Sequence, residues 1–89
     1  MIEIVPTSAF QKAFKRKVRG NKNLEMRFRQ RVSIFQGDPF DPSLRTHRLG
    51  GELQGLWSFS LDYDVRVVFS FVEPNLVLFV DIGTHEEVY

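Results

Sequence analysis

Two kinds of hydrophobic periodicity divide the chain into an N-terminal and a C-terminal part. Between residues 8 and 36, apolar side chains recur at every third or fourth position, which is typical of amphipathic helices. Residues 53–82 instead alternate between apolar and polar side chains, as strands with one buried face do. The pattern therefore predicts a helical part followed by a β-sheet.

The N-terminal part predicts two helices joined by a short link. Thr7 or Ser8 can cap the first helix, which ends at Gly20-Asn21. Asn23 can cap the second helix, which ends at Gly37-Asp38-Pro39. Because the link is short, we expect an antiparallel pair with one apolar side. Its apolar stripes are Phe10, Ala13 or Phe14, and Val18 in the first helix, and Leu24, Phe28, Val32 and Phe35 in the second.

Several segments have the character of strands. Ile2–Val5 is a short β-prone segment, and residues 38–51 form a loop or a short edge strand. Longer strands are expected at Gly55–Leu61, Val65–Phe71 and Leu76–Ile82, joined by turns at Tyr63-Asp64 and Glu73-Pro74-Asn75. The apolar side is expected to hold Leu53, Trp57, Phe59, Leu61, Val65, Val67, Phe69, Phe71, Leu76, Leu78, Val80 and Ile82. The other side is expected to hold Ser58, Ser60, Arg66, Val68, Ser70 and Phe79.

These elements predict an α+β fold. Two N-terminal antiparallel helices pack on one face of a small antiparallel sheet of three or four strands, and residues 1–89 form one domain. The chain has no cysteine, so disulfides and thiolate metal sites are excluded. No apolar run approaches the roughly 20 residues of a membrane helix, and no signal-peptide pattern is present. We therefore expect a cytoplasmic protein.

The net charge of +1 hides a division along the chain. Residues 1–49 hold eleven lysines and arginines against four carboxylates, a net charge of +7, whereas residues 50–89 have a net charge of −6. A basic half of this size can attract a polyanion, although solvated helix faces are also commonly rich in lysine and arginine. Charge alone leaves both interpretations open.

Three residues of the C-terminal part form a set that could cut a phosphodiester. Arg66 lies within an otherwise uncharged strand, and His85 and Tyr89 follow the last strand. A guanidinium suits a phosphate, and an imidazole changes protonation near neutral pH. Arg66 could equally pair with a neighbouring carboxylate (Asp62, Asp64 or Asp81), and both histidines, His47 included, could be ordinary surface residues.

The combination of strings is more specific than any one residue. Residues 46–59 read THRLGGELQGLWSF, residues 62–69 read DYDVRVVF and residues 82–89 read IGTHEEVY. Together with the order of elements, they resemble the RelE/ParE superfamily of bacterial type II toxins, closest to its YafQ and RelE/StbE branch. The resemblance spans nearly the whole chain. It implies a ribosome-dependent endoribonuclease that cuts mRNA and is neutralised by a cognate antitoxin protein.

The resemblance also implies roles for individual residues. Arg66 matches the strand arginine that holds the scissile phosphate, and His85 matches the histidine that acts as general acid or base. His47 and Asp64 match a loop histidine and an aspartate of the YafQ branch, and Tyr89 lies near a functional C-terminal tyrosine. RNA contacts are expected from Arg45, Arg48, Lys12, Lys15 and Arg16. The expected partners are the antitoxin, the ribosome and mRNA, with no cofactor, metal or membrane.

The chain departs from this pattern at several positions. Ser58 and Ser60 stand where YafQ-like toxins carry an acidic residue and a histidine, and Glu86-Glu87 would repel RNA beside His85. Two alternatives therefore remain open. One is a ParE-like, gyrase-poisoning toxin without nuclease activity, against which the histidines argue. The other is a degenerate module that only binds an antitoxin, which the departures favour.

Overall fold

A computed structural model describes residues 1–89 and contains five strands and three α-helices. In chain order these are β1 (Glu3–Pro6), α1 (Ser8–Lys17), α2 (Lys22–Gly37), β2 (His47–Arg48), β3 (Trp57–Ser60), β4 (Val65–Glu73), β5 (Leu76–Thr84) and α3 (His85–Val88). Short 3₁₀ turns occupy Pro42–Leu44 and Gly51–Leu53. None of the helices is long and apolar enough to cross a bilayer.

The strands form one mixed sheet in the order β1-β5-β4-β3-β2. β1 runs parallel to β5, and the other neighbours are antiparallel. The predicted α+β class is confirmed, but the prediction of three or four antiparallel strands is wrong, and α3 was not predicted. The reason is that β1 pairs with residues more than seventy positions away, a pairing that no local pattern specifies.

The two long helices begin at side-chain caps. The Phe10 amide donates to the Thr7 hydroxyl at 3.1 Å, as one of the two predicted caps requires. The cap of α2 is Asn21, whose side chain accepts from the Leu24 amide at 3.2 Å, so the prediction of Asn23 is wrong. Gly20 has a φ of +90°, which reverses the chain directly after α1 and lets α2 begin two residues earlier.

Aromatic side chains hold α2 on the sheet. Phe35 of α2 stacks on Phe59 of β3 with ring centroids 4.9 Å apart, and its edge meets Phe69 of β4 at the same distance. All three rings are fully buried. Burying one such side chain contributes about 1.5–3 kcal/mol, so this contact fixes the helical layer against one face of the sheet. We call that face the helical face and the opposite one the open face.

A bulge in β5 changes which of its residues reach the core. Val68 pairs with Asp81, but Phe69 pairs with Phe79, so Val80 is an extra residue on β5. Past the bulge the alternation shifts by one position. The prediction for this strand is therefore wrong at Leu76, Leu78 and Val80, because the core holds Val77, Phe79 and Ile82. Phe79, predicted on the open face, is 1% exposed within the core.

The open face has a small apolar cluster of its own. Leu49, Val68 of β4 and Val88 of α3 are buried against one another, with Leu53, Leu56 and Val80 packed around them. This cluster attaches α3 to the sheet on the side away from α1 and α2. The short helix thereby carries the C-terminal residues over the open face.

Candidate functional site

The position of α3 is set by its first and last residues. Thr84 and Glu87 form a capping box: the Thr84 amide donates to Glu87 Oε1 at 2.8 Å, and the Glu87 amide donates to Thr84 Oγ1 at 3.3 Å. Glu87 also pairs with Lys17 at the end of α1. Val88 fills the open-face cluster with 8% of its surface exposed. These contacts fix His85 and Tyr89 over the open face.

Gly83 allows this close approach of α3. A Cβ atom at this position would lie 3.0 Å from Glu87 Oε1 and 3.3 Å from both Glu87 Cβ and Val88 Cγ1. We expect Gly83→Ala to displace α3 and to lower the free energy of unfolding by about 1–3 kcal/mol, the usual cost of overpacking. Urea denaturation measures this loss, with Gly37→Ala as the control because no atom lies within 4 Å there. Equal stability of the two variants would contradict the account of α3.

Four side chains meet on the open face, where Tyr89, the residue after α3, reaches β2 and β3. The Tyr89 ring lies edge-on to two imidazoles, with its centroid 4.4 Å from that of His85 and 6.4 Å from that of His47. The Tyr89 hydroxyl is hydrogen-bonded to the hydroxyl of Ser58, which is fully buried on β3. We call these four residues the histidine–tyrosine cluster. Both histidines are exposed, so the cluster is open to solvent.

His47 is held by its own backbone loop. Its Nδ1 atom lies 3.0 Å from the carbonyl oxygen of Arg45, which has a left-handed φ of +53°. A carbonyl oxygen can only accept, so Nδ1 carries the proton of this bond. In the neutral ring the other nitrogen, Nε2, is then a hydrogen-bond acceptor. The backbone therefore selects one tautomer of His47.

Hydrogen bonds within the loop and one buried side chain fix the loop before His47. Asp41 accepts from the Ser43 hydroxyl at 2.7 Å and from the Ser43 amide at 2.9 Å. These bonds hold the pKa of Asp41 below its ordinary value of 3.8. Leu44 is fully buried in the core, and the Thr46 hydroxyl donates to the Pro39 carbonyl. The loop thus places His47 opposite Ser58 at the start of β2.

Arg66 lies on the same face of the sheet as the cluster. It pairs with Ser60 across β3 and with Gly83 across β5, and its neighbour Val68 belongs to the open-face cluster. Ser58 is two residues from Ser60 along β3, or about 7 Å. The Arg66 Nη1 atom donates to the carbonyl oxygens of Asp62 and Tyr63 at 3.1 Å each. The guanidinium is thus fixed by backbone oxygens rather than by a carboxylate, and its other nitrogens are free of protein hydrogen bonds.

The structure separates the remaining predicted site residues from the cluster. Asp64 is exposed in the turn before β4, where its amide donates to Asp62, and its carboxylate contacts no member of the cluster. Arg48 follows His47 on β2, but its guanidinium carbon lies 5.0 Å from the centre of the Trp57 ring, on the helical side of the sheet. Arg45 is exposed beside His47.

The three residues of α1 that were predicted to bind RNA do not lie beside the histidines. Lys12, Lys15 and Arg16 project from a helix that packs on the helical face. Two of them, with Arg19, border a groove of about 710 Å³ between α1, α2 and β1. Its apolar lining is Ile4, Phe10, Phe14, Phe28, Val32 and Phe79. The candidate RNA-binding residues are thus split between two sides of the molecule.

Sequence reasoning missed several contacts that build the site. Glu87 was expected to repel RNA beside His85, but its carboxylate is bound in the capping box and paired with Lys17. Glu86 is therefore the only carboxylate of α3 without a partner. The Thr84-His85-Glu86-Glu87 string is a capping-box pattern that could have predicted α3. The contact between Ser58 and Tyr89 had no such signal. No group of three or more His, Cys, Asp or Glu side chains is arranged to hold a metal ion.

Solved structures of bacterial toxins share this fold. A metal-bound toxin from Helicobacter pylori is 23% identical, with a TM-score of 0.75 and all of both chains covered. YafQ from E. coli strain BL21(DE3) is 16% identical, with a TM-score of 0.71, covering 100% of this chain and 99% of that one. YafQ in the E. coli DinJ–YafQ complex is 18% identical, with a TM-score of 0.69 and the same coverage.

The family itself is shown by sequence. No curated protein matches the chain significantly. The family model described as the bacterial toxin of type II toxin–antitoxin system, YafQ, matches residues 2–89, which is nearly the full length. This chain therefore belongs to the YafQ family of type II toxins, which are of the mRNA-interferase kind.

Proposed function

We propose that this protein is itself an active, ribosome-dependent endoribonuclease that cuts mRNA in the cytoplasm. The observation that carries the proposal is the histidine–tyrosine cluster, in which two exposed imidazoles lie edge-on to one phenol on the same face of the sheet as Arg66. Cleavage of RNA through its 2′-hydroxyl needs a base for that hydroxyl, charge stabilisation at phosphorus and an acid for the leaving 5′-oxygen. The cluster and Arg66 offer a side chain for each of these three tasks.

His47 is assigned as the general base. The bond from its Nδ1 to the Arg45 carbonyl leaves Nε2 with a lone pair when the ring is neutral, which is the form that accepts a proton. Asp64, the other candidate for this role, is exposed in a turn without contact to the cluster. His47 is therefore preferred over Asp64 in this proposal.

His85 is assigned as the general acid and Arg66 as the group that stabilises the phosphate. His85 is exposed on α3, and its ring is oriented by the edge-on contact with Tyr89. The free nitrogens of Arg66 can form the bidentate contact that a phosphate accepts. The substrate would thus lie across β3, β4 and α3, with Tyr89, whose ring is next to both histidines, as a further contact.

Mapping mRNA 5′ ends after induced expression tests the proposal. We expect discrete new 5′ ends within coding sequences, together with growth arrest. DNA damage without new 5′ ends would identify a ParE-like toxin instead. Unimpaired growth with intact antitoxin binding would identify a degenerate module, the alternative favoured by Ser58 and Ser60.

We further propose that a cognate antitoxin binds in the groove between α1, α2 and β1. The DinJ–YafQ and YoeB–YefM complexes are toxin–antitoxin structures of this fold. Here the groove combines an apolar floor, formed by rings such as Phe14 and Phe28, with a border of Lys12, Lys15 and Arg19. An amphipathic segment with acidic residues along one side complements both features.

Charge reversal at the groove is expected to weaken the complex. The double variant Lys12→Glu/Lys15→Glu places two like charges against an acidic partner, so we expect the dissociation constant to rise at least about tenfold. Isothermal titration calorimetry with the antitoxin measures the change. Arg27→Glu/Arg29→Glu is the matched control, because both arginines are exposed on the outer side of α2, away from the groove. Equal weakening by both double variants would contradict the location.

A further inference from the structure

We infer that Ser58 is a positioning residue, whose buried hydroxyl holds the Tyr89 ring in place beside the two histidines. The inference rests on the proposed nuclease function for its consequence in catalysis, but the positioning itself can be tested without any cleavage. Ser58 is the only polar side chain that is fully buried, and its hydroxyl is hydrogen-bonded to the Tyr89 hydroxyl. This position is one of those at which the sequence departs from the YafQ pattern.

The position of the Tyr89 ring needs a specific contact to fix it. Tyr89 follows the last residue of α3, and 37% of its surface is exposed. Its backbone is bound only through the amide, which donates to the His85 carbonyl at 3.1 Å. A half-exposed aromatic side chain at such a position samples several rotamers unless a specific contact selects one. The hydroxyl of Ser58 is the contact that does so here.

Ser58 is itself held in the sheet. It lies in the middle of β3, paired with His47 on one side and with Val68 on the other. Because its hydroxyl is fully buried, loss of the partner would leave a polar group unsatisfied, which is unfavourable. Breaking this bond is therefore unfavourable. Because strand pairing fixes Ser58, the bond also fixes the position of the Tyr89 ring.

The Tyr89 ring in turn lies beside both histidines. The rings of His85 and His47 are both edge-on to that of Tyr89, with centroids 4.4 Å and 6.4 Å away. His47 is also the cross-strand partner of Ser58. A single hydroxyl thus sets the spacing between one imidazole on β2 and another on α3. Ser58 acts through Tyr89 and makes no contact with the substrate, so it is not a catalytic residue.

The experiment uses the imidazole proton signals of His47 and His85 in ¹H NMR spectra of the full chain. The ring current of Tyr89 shifts these signals, and Tyr89→Ala shows where they lie without it. We expect Ser58→Ala to move both signals toward their positions in Tyr89→Ala. Tyr89→Phe, which keeps the ring but loses the hydroxyl, should move them in the same direction, and the Ser58→Ala/Tyr89→Phe double variant should add nothing.

Ser60→Ala is the matched control. Ser60 lies on the same strand and the same face, two residues further on, and makes no hydrogen bond to Tyr89. Its removal should leave both imidazole signals in place. If Ser58→Ala or Tyr89→Phe leaves the signals where the unchanged protein has them, the inference is overturned. Tyr89→Phe tests the same bond at a half-exposed position, so the result does not depend on whether Ser58→Ala folds.

Cleavage of ribosome-bound mRNA measures the consequence. We expect Ser58→Ala to lower the single-turnover rate about tenfold, a typical effect of losing one buried hydrogen bond, with substrate affinity unchanged. An unchanged rate would overturn the catalytic part of the inference. If no variant cleaves RNA, including the unchanged protein, the proposed nuclease function fails, while the NMR comparison still decides whether Ser58 positions Tyr89.

Discussion

Replacing His85 with alanine is expected to lower RNA cleavage by about 10²–10⁴-fold, the usual contribution of a general acid or base. The same change should abolish growth arrest on induced expression. His85 is exposed on α3 and makes no hydrogen bond through its side chain, so its removal leaves the capping box and the Val88 contact intact. The loss should therefore appear in the rate and not in stability.

Single-turnover cleavage of ribosome-bound mRNA, with thermal denaturation of the same samples, checks this result. Glu86→Gln is the matched control, because Glu86 is the next residue of α3 and is also exposed. The control should cleave at least as fast as the unchanged protein, since it removes a negative charge near the RNA. A His85→Ala variant that stays fully active would refute the assignment of His85 as the acid.

Replacing Arg66 with alanine is the second change with a large expected effect. We expect cleavage to fall by about 10²–10³-fold, as for other groups that stabilise charge in the transition state. Unlike His85, Arg66 also has a structural contribution, because Nη1 donates to the Asp62 and Tyr63 carbonyls in the β3–β4 turn. Its removal is therefore expected to lower the free energy of unfolding by about 1–3 kcal/mol as well.

Two further variants separate these contributions. Arg66→Lys keeps the charge but loses the planar fork, so cleavage should be restored only in part. Arg29→Ala removes one exposed cation from α2, far from the open face, and tests whether overall charge explains the loss. Urea denaturation establishes that each sample is folded at the assay temperature. If Arg29→Ala lowers cleavage as much as Arg66→Ala does, Arg66 has no special role.

The helices could be predicted well from the sequence because their signal is local. The stripe ending at Val18 and Phe35 faces the core as the periodicity indicates, and Thr7 caps α1. The error at Asn23 has a local cause too, since the reversal at Gly20 moves the start of α2 to Asn21. Helix boundaries depend on one or two residues of turn geometry, which hydrophobic periodicity does not register.

The sheet could be predicted only in part because pairing is not local. Strands β3 and β4 alternate as expected, with Phe59 and Phe69 buried. In β5, the extra residue Val80 inverts the faces assigned to the residues before it in the same strand. Residues 76–80 are all apolar, so the alternation of side chains gives no sign of the bulge there. The parallel pairing of β1 depends on contacts across the whole chain and was missed for the same reason.

The residues of the candidate site also differ in whether the local sequence or long-range pairing determines them. Arg66, His85 and Tyr89 were singled out by residue type, and the structure places all three on the open face or its edge, outside the helical layer. The pairing of His47 with Ser58, and of Ser58 with Tyr89 thirty-one residues later, follows from strand register and the docking of α3. Asp64 and the α1 cations were selected by the same reasoning, but they lie away from the cluster.

Cleavage of a ribosome-bound mRNA with one 2′-deoxynucleotide at the mapped cleavage position tests the central proposal most directly. If His47 activates the ribose hydroxyl for attack on the neighbouring phosphate, that single missing oxygen should prevent cutting there, while an all-ribose transcript is cut under identical conditions. Cutting of both transcripts at the same position and rate would contradict it, because the residues around Tyr89 would then be performing a different reaction.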